Sequence, residues 1–218
     1  MTRSTPVSTE HGLVGLPDHV LGFGMMHVAM RRDARRLVHA AANPSPAVAD
    51  WWDHVRSIID WHHRSEDAVL WPQLRRLVPG FRAREQRMHG DHRELDRAMA
   101  EVSSVLSAWR EPDEGIAVGL RFESVLREHL RVEESIVLPI FADELSVAAY
   151  LDIERQVLAS APFSVMTLLQ SWMSDGADAV TVARMAAGIP PPVRLLGRTV
   201  LRRRYQRMVR PVLSAPPS

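Results

Sequence analysis

The chain has 218 residues, no cysteine and a formal net charge of +1. The lack of cysteine excludes disulfides, thiolate chemistry, iron–sulfur clusters and zinc-finger sites, so any metal ion must be bound by nitrogen and oxygen atoms. No apolar run reaches the roughly 18 residues of a membrane span, and the N-terminus has no secretion signal, so we expect a cytoplasmic protein without a membrane span.

Helical periodicity and turn signals predict an all-α fold. Residues 1–16 are polar and glycine-rich and are predicted to form a loose arm. Apolar residues at three- and four-residue steps then predict four long helices, separated by clusters that contain proline or glycine. These helices span residues 17–42, 46–70 or 46–77, 81–109 and 114–144. Pro72 should kink the second helix or end its regular part. Because the connections are short, we predict an up-down-up-down four-helix bundle.

Residues 146–218 are predicted to form a helical extension rather than an independent domain, because their apolar residues are scattered. Ser146 is expected to cap a fifth helix that ends near Leu158. Shorter helices over 165–172 and 177–186 and a basic amphipathic helix over 193–210 should follow. We therefore divide the chain into a bundle domain, residues 17–145, and an extension, residues 146–218.

The positive and negative charges occupy different parts of the sequence. All 26 acidic residues lie at or before Asp178, whereas residues 179–218 contain eight arginines and no acidic residue. We expect this basic segment to dock on the acidic part of the same chain; a membrane surface or nucleic acid is the alternative partner. Since Tyr205 is the only aromatic residue in the segment, we do not expect nucleic acid.

One eleven-residue motif occurs twice, 67 residues apart, at residues 62–72 and 129–139. In each copy a histidine is followed four residues later by a glutamate and ten residues later by a proline. Four residues turn an α-helix by about 400°, so the histidine and its glutamate project from nearly the same face. Two such helices facing each other would bring two imidazoles and two carboxylates together. That set suits a pair of first-row metal ions, with the carboxylates bridging and the histidines as end ligands.

Four of the ten histidines are predicted to lie in the middle of a helix beside apolar residues, one in each long helix: His27, His62, His92 and His129. Two of these helices add a glutamate, Glu66 or Glu133. The alternative is a surface ring of polar pairs four residues apart. We favour a metal site, because buried imidazoles and carboxylates without partners are costly and a metal ion would pair them.

The residues that carry a family resemblance are His27, His62, Glu66, His92, His129 and Glu133. They resemble the hemerythrin-like, or HHE cation-binding, family over about residues 18–145. The resemblance implies a four-helix bundle with a non-haem di-iron centre. It also implies that the two glutamates bridge the ions, that the first two histidines serve one ion, and that the last two serve the other.

The sequence departs from the oxygen-carrying hemerythrins, which have two histidines four residues apart in the third helix and an aspartate bridge at a longer spacing in the last motif. Here His89 and His92 are three residues apart, and His89 is the candidate fifth histidine ligand; the alternative is a solvated group or one that contacts a ligand. His63 could contact a ligand or exchange roles with His62. We expect Asp67 and Glu134 to be solvated or to accept hydrogen bonds from ligands.

Two ferrous ions with nitrogen and oxygen ligands and an open position bind O2, hydrogen peroxide or nitric oxide. Two carboxylates leave the pair positive, which favours an oxo or hydroxo bridge; manganese and zinc are alternative metals. We therefore expect a protein of the oxidative or nitrosative stress response that binds or turns over a small oxidant. An enzyme would be a peroxide-consuming, catalase-like protein or another di-iron oxidoreductase. The alternative is a non-catalytic iron or gas sensor whose basic segment contacts a partner.

Overall fold

The computed structural model describes residues 8–86, 88, 91–108, 111–187 and 197–213, and every regular element in these ranges is helical. The predicted all-α fold is therefore confirmed. None of the helices in these ranges has both the length and the apolar character needed to span a membrane. The α-helices, numbered in chain order, are α1 (Leu21–Ala41), α2 (Pro46–Ser65), α3 (Trp71–Leu77), α4 (Phe81–Glu85), α5 (Asp91–Ala108), α6 (Pro112–Pro139), α7 (Val147–Ala159), α8 (Phe163–Met173), α9 (Ala179–Ala187) and α10 (Arg202–Leu213).

Helices α1, α2, α5 and α6 pack in a closed ring around the largest apolar core. α1 packs against α6, α6 against α5, α5 against α2, and α2 against α1. The contact between α1 and α6 is close because Gly115 and Gly119 face α1. A Cβ atom on Gly119 would lie 2.9 Å from Val38 Cα, and one on Gly115 would overlap the Ala41 carbonyl. Two helices that carry predicted ligands are thus held almost backbone to backbone.

The helix that contains the first motif is interrupted immediately after Ser65. A π-helical segment, Glu66–Leu70, separates α2 from α3, and the Trp71 N–H donates to the Glu66 carbonyl, one residue further back than in an α-helix. Helix α2 thus ends five residues before the nearer predicted end at Leu70, and Pro72 lies in the first turn of α3. Pro139, at the equivalent position of the second motif, lies inside α6, and the π-helical segment Ile140–Glu144 follows it.

Two predictions about the chain path are wrong. The third helix is not continuous over residues 81–109, because α4 ends at Glu85, and Gln86 and Met88 lie in turns before α5 begins. Gly90, a poor helix former, precedes α5 in the sequence. The N-terminal arm is not loose over the described residues 8–16, since Thr9 is 1% exposed and packs against the bundle.

The C-terminal helices α8 and α10 pack against α1 and α2 and share the core of the bundle. Trp172 Nε1 donates to Asp33 at 2.7 Å, and the Tyr205 hydroxyl donates to Asp175 at 2.8 Å. Arg36 Nη1 joins the two carboxylates, at 3.0 Å from Asp33 and 2.6 Å from Asp175. We call these five residues the C-terminal clamp. Burial alone would raise the pKa of Asp175, but the hydrogen bonds from Arg36 and Tyr205 lower it. The domain boundary at residue 146 stays a prediction.

Helix α10 turns its apolar side to the bundle. Tyr205, Val209 and Val212 are buried. The outward side of the helix carries five exposed arginines: Arg202, Arg203, Arg204, Arg207 and Arg210. The first four form no hydrogen bond or ion pair with any residue that the structure describes. Helix α10 therefore docks on the bundle through apolar contacts and the clamp. Elsewhere in the basic segment, Arg184 forms an ion pair with Asp18, as the charge pattern suggests.

Candidate metal centre

A first group of buried side chains combines two histidines and two glutamates. His27 comes from α1, His62 from α2, Glu66 from the π-helical segment after α2, and Glu133 from α6. Each residue offers one ligand atom, and these four atoms all lie within 4.8 Å of one another. All four side chains are buried, so the group forms inside the ring of helices.

A second group consists of three histidines whose ligand atoms also lie within 4.8 Å of one another. His63 belongs to α2, His92 to α5 and His129 to α6. His63 and His129 are buried, whereas the His92 side chain is 20% exposed. Because consecutive residues of a helix point about 100° apart, the neighbours His62 and His63 enter different groups. The two groups together draw on all four helices of the ring.

The two glutamates face both groups. Glu66 Oε1 lies 2.9 Å from His62 Nε2 in the first group, and Glu66 Oε2 lies 3.7 Å from His92 Nε2 in the second. Glu133 is placed in the same way. Its Oε1 lies 3.8 Å from His27 Nε2 in the first group, and its Oε2 lies 3.4 Å from His129 Nε2 in the second. Each carboxylate therefore presents one oxygen to each group, an arrangement that would allow it to bridge two ions through both oxygens.

The polar atoms of these groups are largely without hydrogen-bond partners. Over the described residues, 13 buried side-chain nitrogen and oxygen atoms lack a partner, and ten of them belong to the two groups. Even the 2.9 Å approach of His62 Nε2 to Glu66 Oε1 is not aligned as a hydrogen bond. Burying such an atom unpaired costs about 1–3 kcal/mol. A bound cation would satisfy them, and imidazole and carboxylate donors suit first-row metals, so the cluster fits a metal site.

Burial shifts the protonation of these groups toward their uncharged forms. It lowers the pKa of His62 and His92, and it lowers the pKa of His63 and His129 well below the ordinary value. These imidazoles are therefore neutral near pH 7 and keep a lone pair for a metal ion. Burial also raises the pKa of both glutamates, and in Glu133 the neighbouring carboxylate adds to this effect. A cation between the carboxylates would favour their ionised forms.

The residue that follows each glutamate contacts a histidine on another helix. Glu134 Oε1 accepts from His27 Nδ1 at 2.9 Å and from Arg31 Nη1 at 2.7 Å. Burial alone would raise the pKa of Glu134, but the hydrogen bonds from His27 and Arg31 lower it, so the carboxylate is ionised. Asp67, which is 63% exposed, lies 3.5 Å from His92 Nδ1. Both residues were predicted as solvated groups or hydrogen-bond acceptors for ligands, and both lie beside a histidine of the cluster.

The structure brings together six of the seven predicted ligands, namely His27, His62, Glu66, His92, His129 and Glu133. His89 lies outside the described residues. His63, to which the sequence assigned no definite role, occupies the second group. The adjacent His62 and His63 at the end of a helix were the only sign of it in the sequence. His54 is exposed and hydrogen-bonds the Asp50 carbonyl, remote from both groups, as expected of an ordinary histidine. That these residues bind metal stays a prediction.

Comparison with known proteins gives one match. The model of the family described as "Hemerythrin HHE cation binding domain" matches residues 23–141, which is more than half of the chain. The matched range contains every residue of both groups and leaves out the N-terminal arm and helices α7 to α10. No curated protein and no solved structure matches the chain.

Proposed function

The chain belongs to the hemerythrin HHE cation-binding family, and from this we propose that it holds two iron ions and binds or turns over O2, hydrogen peroxide or nitric oxide. The ring of α1, α2, α5 and α6 is proposed to be the up-down-up-down bundle of this family. A role in the oxidative or nitrosative stress response and a cytoplasmic location complete the proposal and stay predictions from the sequence.

The placement of the two glutamates carries this proposal. Glu66 and Glu133 would bridge the ions, because each directs one oxygen to each group of ligands. His27 and His62 would bind one ion, and the three histidines of the second group would bind the other. His63 thus takes the place of the fifth ligand that the sequence assigned to His89.

The surroundings of the first group favour a ligand of few atoms. When bound, the iron pair would supply electrons and an open coordination position for a small oxidant. The Phe23 ring lies 4.2 Å from the His27 ring and 6.1 Å from the His62 ring, between centroids, and excludes water from this side. His92, which is partly exposed at the other side, offers a route for protons and solvent. A two-histidine ion has fewer protein donors than its neighbour, so exogenous ligands should bind there.

The decisive experiment is the metal content of the purified protein after anaerobic loading with ferrous iron, together with absorption spectra before and after peroxide. Two irons per chain and new near-ultraviolet charge-transfer absorption would support the di-iron proposal. Catalytic loss of excess peroxide would then indicate an enzyme, and a single stoichiometric spectral change a carrier or sensor. A loaded protein that retains no iron would contradict the proposal.

The outward side of α10 favours a second candidate, a non-catalytic iron or gas sensor that contacts a partner. Arg202, Arg203, Arg204 and Arg207 are exposed and pair with no described residue, and residues 179–218 contain no acidic residue, so this side of α10 suits a polyanionic surface. Binding to heparin that weakens with salt, and that is lost when all four are replaced by glutamine, would support this function. Equal retention of wild type and variant on heparin would contradict it.

A further inference from the structure

The N-terminal arm reaches the carboxylate that holds His27. Glu134 is 1% exposed and accepts from Arg31 at both oxygens, 2.7 Å to Oε1 and 3.0 Å to Oε2. The Thr9 backbone N–H donates to Oε2 at 3.1 Å, and the Thr9 hydroxyl donates to Oε1. The Ser8 hydroxyl adds a donor to Oε2 at 3.1 Å. Glu134 thus has donors from α1 and from the arm, and the His27 Nδ1–H is one of them.

The arm is held in this place by packing against α1. Leu13 and Leu16 lie over Gly24, one helical turn before His27. A Cβ atom at Gly24 would lie 2.8 Å from Leu13 Cδ2 and 2.5 Å from Leu16 Cδ1. The two leucine side chains can therefore lie this close because residue 24 has no side chain. Two independent contacts, one polar at Thr9 and one apolar at Gly24, fix the same segment.

We propose that Thr9 is a positioning residue of the metal centre, which acts through Glu134 to fix the ring of His27. Glu134 accepts from Nδ1–H, so the His27 tautomer leaves the Nε2 lone pair facing Glu133 and the ion. The Thr9 hydroxyl and N–H keep Glu134 from rotating toward solvent. This role rests on the proposed function, and the family match, which starts at residue 23, does not include Thr9.

Without the Thr9 hydroxyl, Glu134 keeps hydrogen bonds from Arg31, His27 and the backbone N–H of residue 9. The substitution Thr9→Val should therefore perturb the site rather than the fold. Valine keeps the shape and the backbone N–H of threonine but removes the hydroxyl. Thr9→Ser restores the hydroxyl. Thr181→Val is the matched control, because Thr181 also donates its hydroxyl to a carboxylate, at 2.6 Å to Asp178, on an exposed helix start.

The first readout is iron affinity, measured by competition with a chelator in the full chain. We expect Thr9→Val to weaken binding of one of the two ions by about 10-fold, the lower end of the effect of removing groups that orient ligands. Thr9→Ser and Thr181→Val should stay within about twofold of wild type. Equal affinity of wild type and Thr9→Val, or an equal loss in Thr9→Ser, would overturn the proposal.

The second readout needs no metal. Long-range ¹H–¹⁵N spectra of the metal-free protein report which ring nitrogen of His27 carries the proton. We expect Nδ1–H in wild type and Thr9→Ser, and a mixture of tautomers in Thr9→Val. An Nε2–H tautomer in wild type would contradict the role of Thr9 even if iron binds. Conversely, a wild type with the Nδ1–H tautomer that binds no iron would refute the di-iron centre alone.

Should Thr9→Val fail to fold, Gly24→Ala tests the same role from the apolar contact. Alanine favours helix over glycine by about 1 kcal/mol, so α1 itself is not weakened. The added methyl group pushes the ends of the Leu13 and Leu16 side chains away from α1 and so loosens the packing of the arm. A loss of iron affinity similar to that expected for Thr9→Val supports the proposal, and unchanged affinity with unchanged His27 tautomer overturns it.

Discussion

The substitution Glu133→Gln should change stability in opposite directions with and without metal. Glu66 and Glu133 are 2% and 1% exposed, and all four of their oxygens lack hydrogen-bond partners. The glutamine side chain has the shape of glutamate but cannot ionise, so the substitution leaves Glu66 as the one carboxylate of this buried pair. Burial raises the pKa of Glu133 to about 8, and an acid that must take up a proton on folding destabilises the fold near pH 7, whereas an amide does not titrate. The metal-free variant should therefore exceed metal-free wild type in stability by about 1–3 kcal/mol. For a chain of this length, Tm should rise by about 2–4 °C per kcal/mol.

With iron present the order should reverse. Loss of an anionic bridging oxygen weakens binding, and each tenfold loss of affinity removes about 1.4 kcal/mol of ligand stabilisation. Thermal unfolding followed by circular dichroism, in chelator and in anaerobic ferrous iron, measures both effects. Glu128→Gln is the matched control, since Glu128 is 61% exposed on the same helix and should shift stability by less than about 0.5 kcal/mol. A variant that is less stable without metal, yet gains as much from iron as wild type, would refute the reasoning.

Three further predictions concern other parts of the molecule. Glu66→Ala should sharply reduce iron content per chain, and His54→Ala should not; equal content in both would contradict the site assignment. His63→Ala should remove one of two irons, whereas His89→Ala should retain both, and the reverse result would return the fifth ligand to His89. Because the pKa of Asp175 is lowered in the folded protein, its stabilisation is present above the unfolded value of about 3.9 and is lost as pH falls through the folded value. Unfolding free energies between about pH 5 and 2.5 should therefore converge for wild type and Asp175→Asn, and a difference that persists at the lowest pH would contradict this.

The doubled motif was sufficient to predict four members of the cluster, because four-residue spacing is a local property of a helix. His92 followed from periodicity in its own helix. The role of His63 could not be predicted in this way. A helical projection places His62 and His63 about 100° apart, but it does not show where the neighbouring helices lie. Only the closed ring, with ligand groups on both sides of α2, gives each of them a separate group.

Other features could not be predicted because they depend on contacts distant in sequence. The arm looked loose, since residues 1–16 are polar and rich in glycine, yet Thr9 is fixed by Glu134, 125 residues away. The apolar periodicity of the sequence continues across the turn between α4 and α5, so it predicted one helix where the structure has two. The contact of α10 seemed electrostatic from the charge pattern, but its apolar side faces the bundle, because burial of Tyr205 and Val209 outweighs solvated surface charge.

Helix α1 is fastened by segments from both ends of the chain. The arm packs on it at Gly24, the C-terminal clamp holds it through Asp33, and His27 lies between these two attachments. A fragment cut to residues 23–141, the range that matches the family, would lose the arm and would leave Asp33 buried without the Trp172 donor. We therefore expect the unit that folds together around the candidate metal centre to be longer than the region that identifies the family.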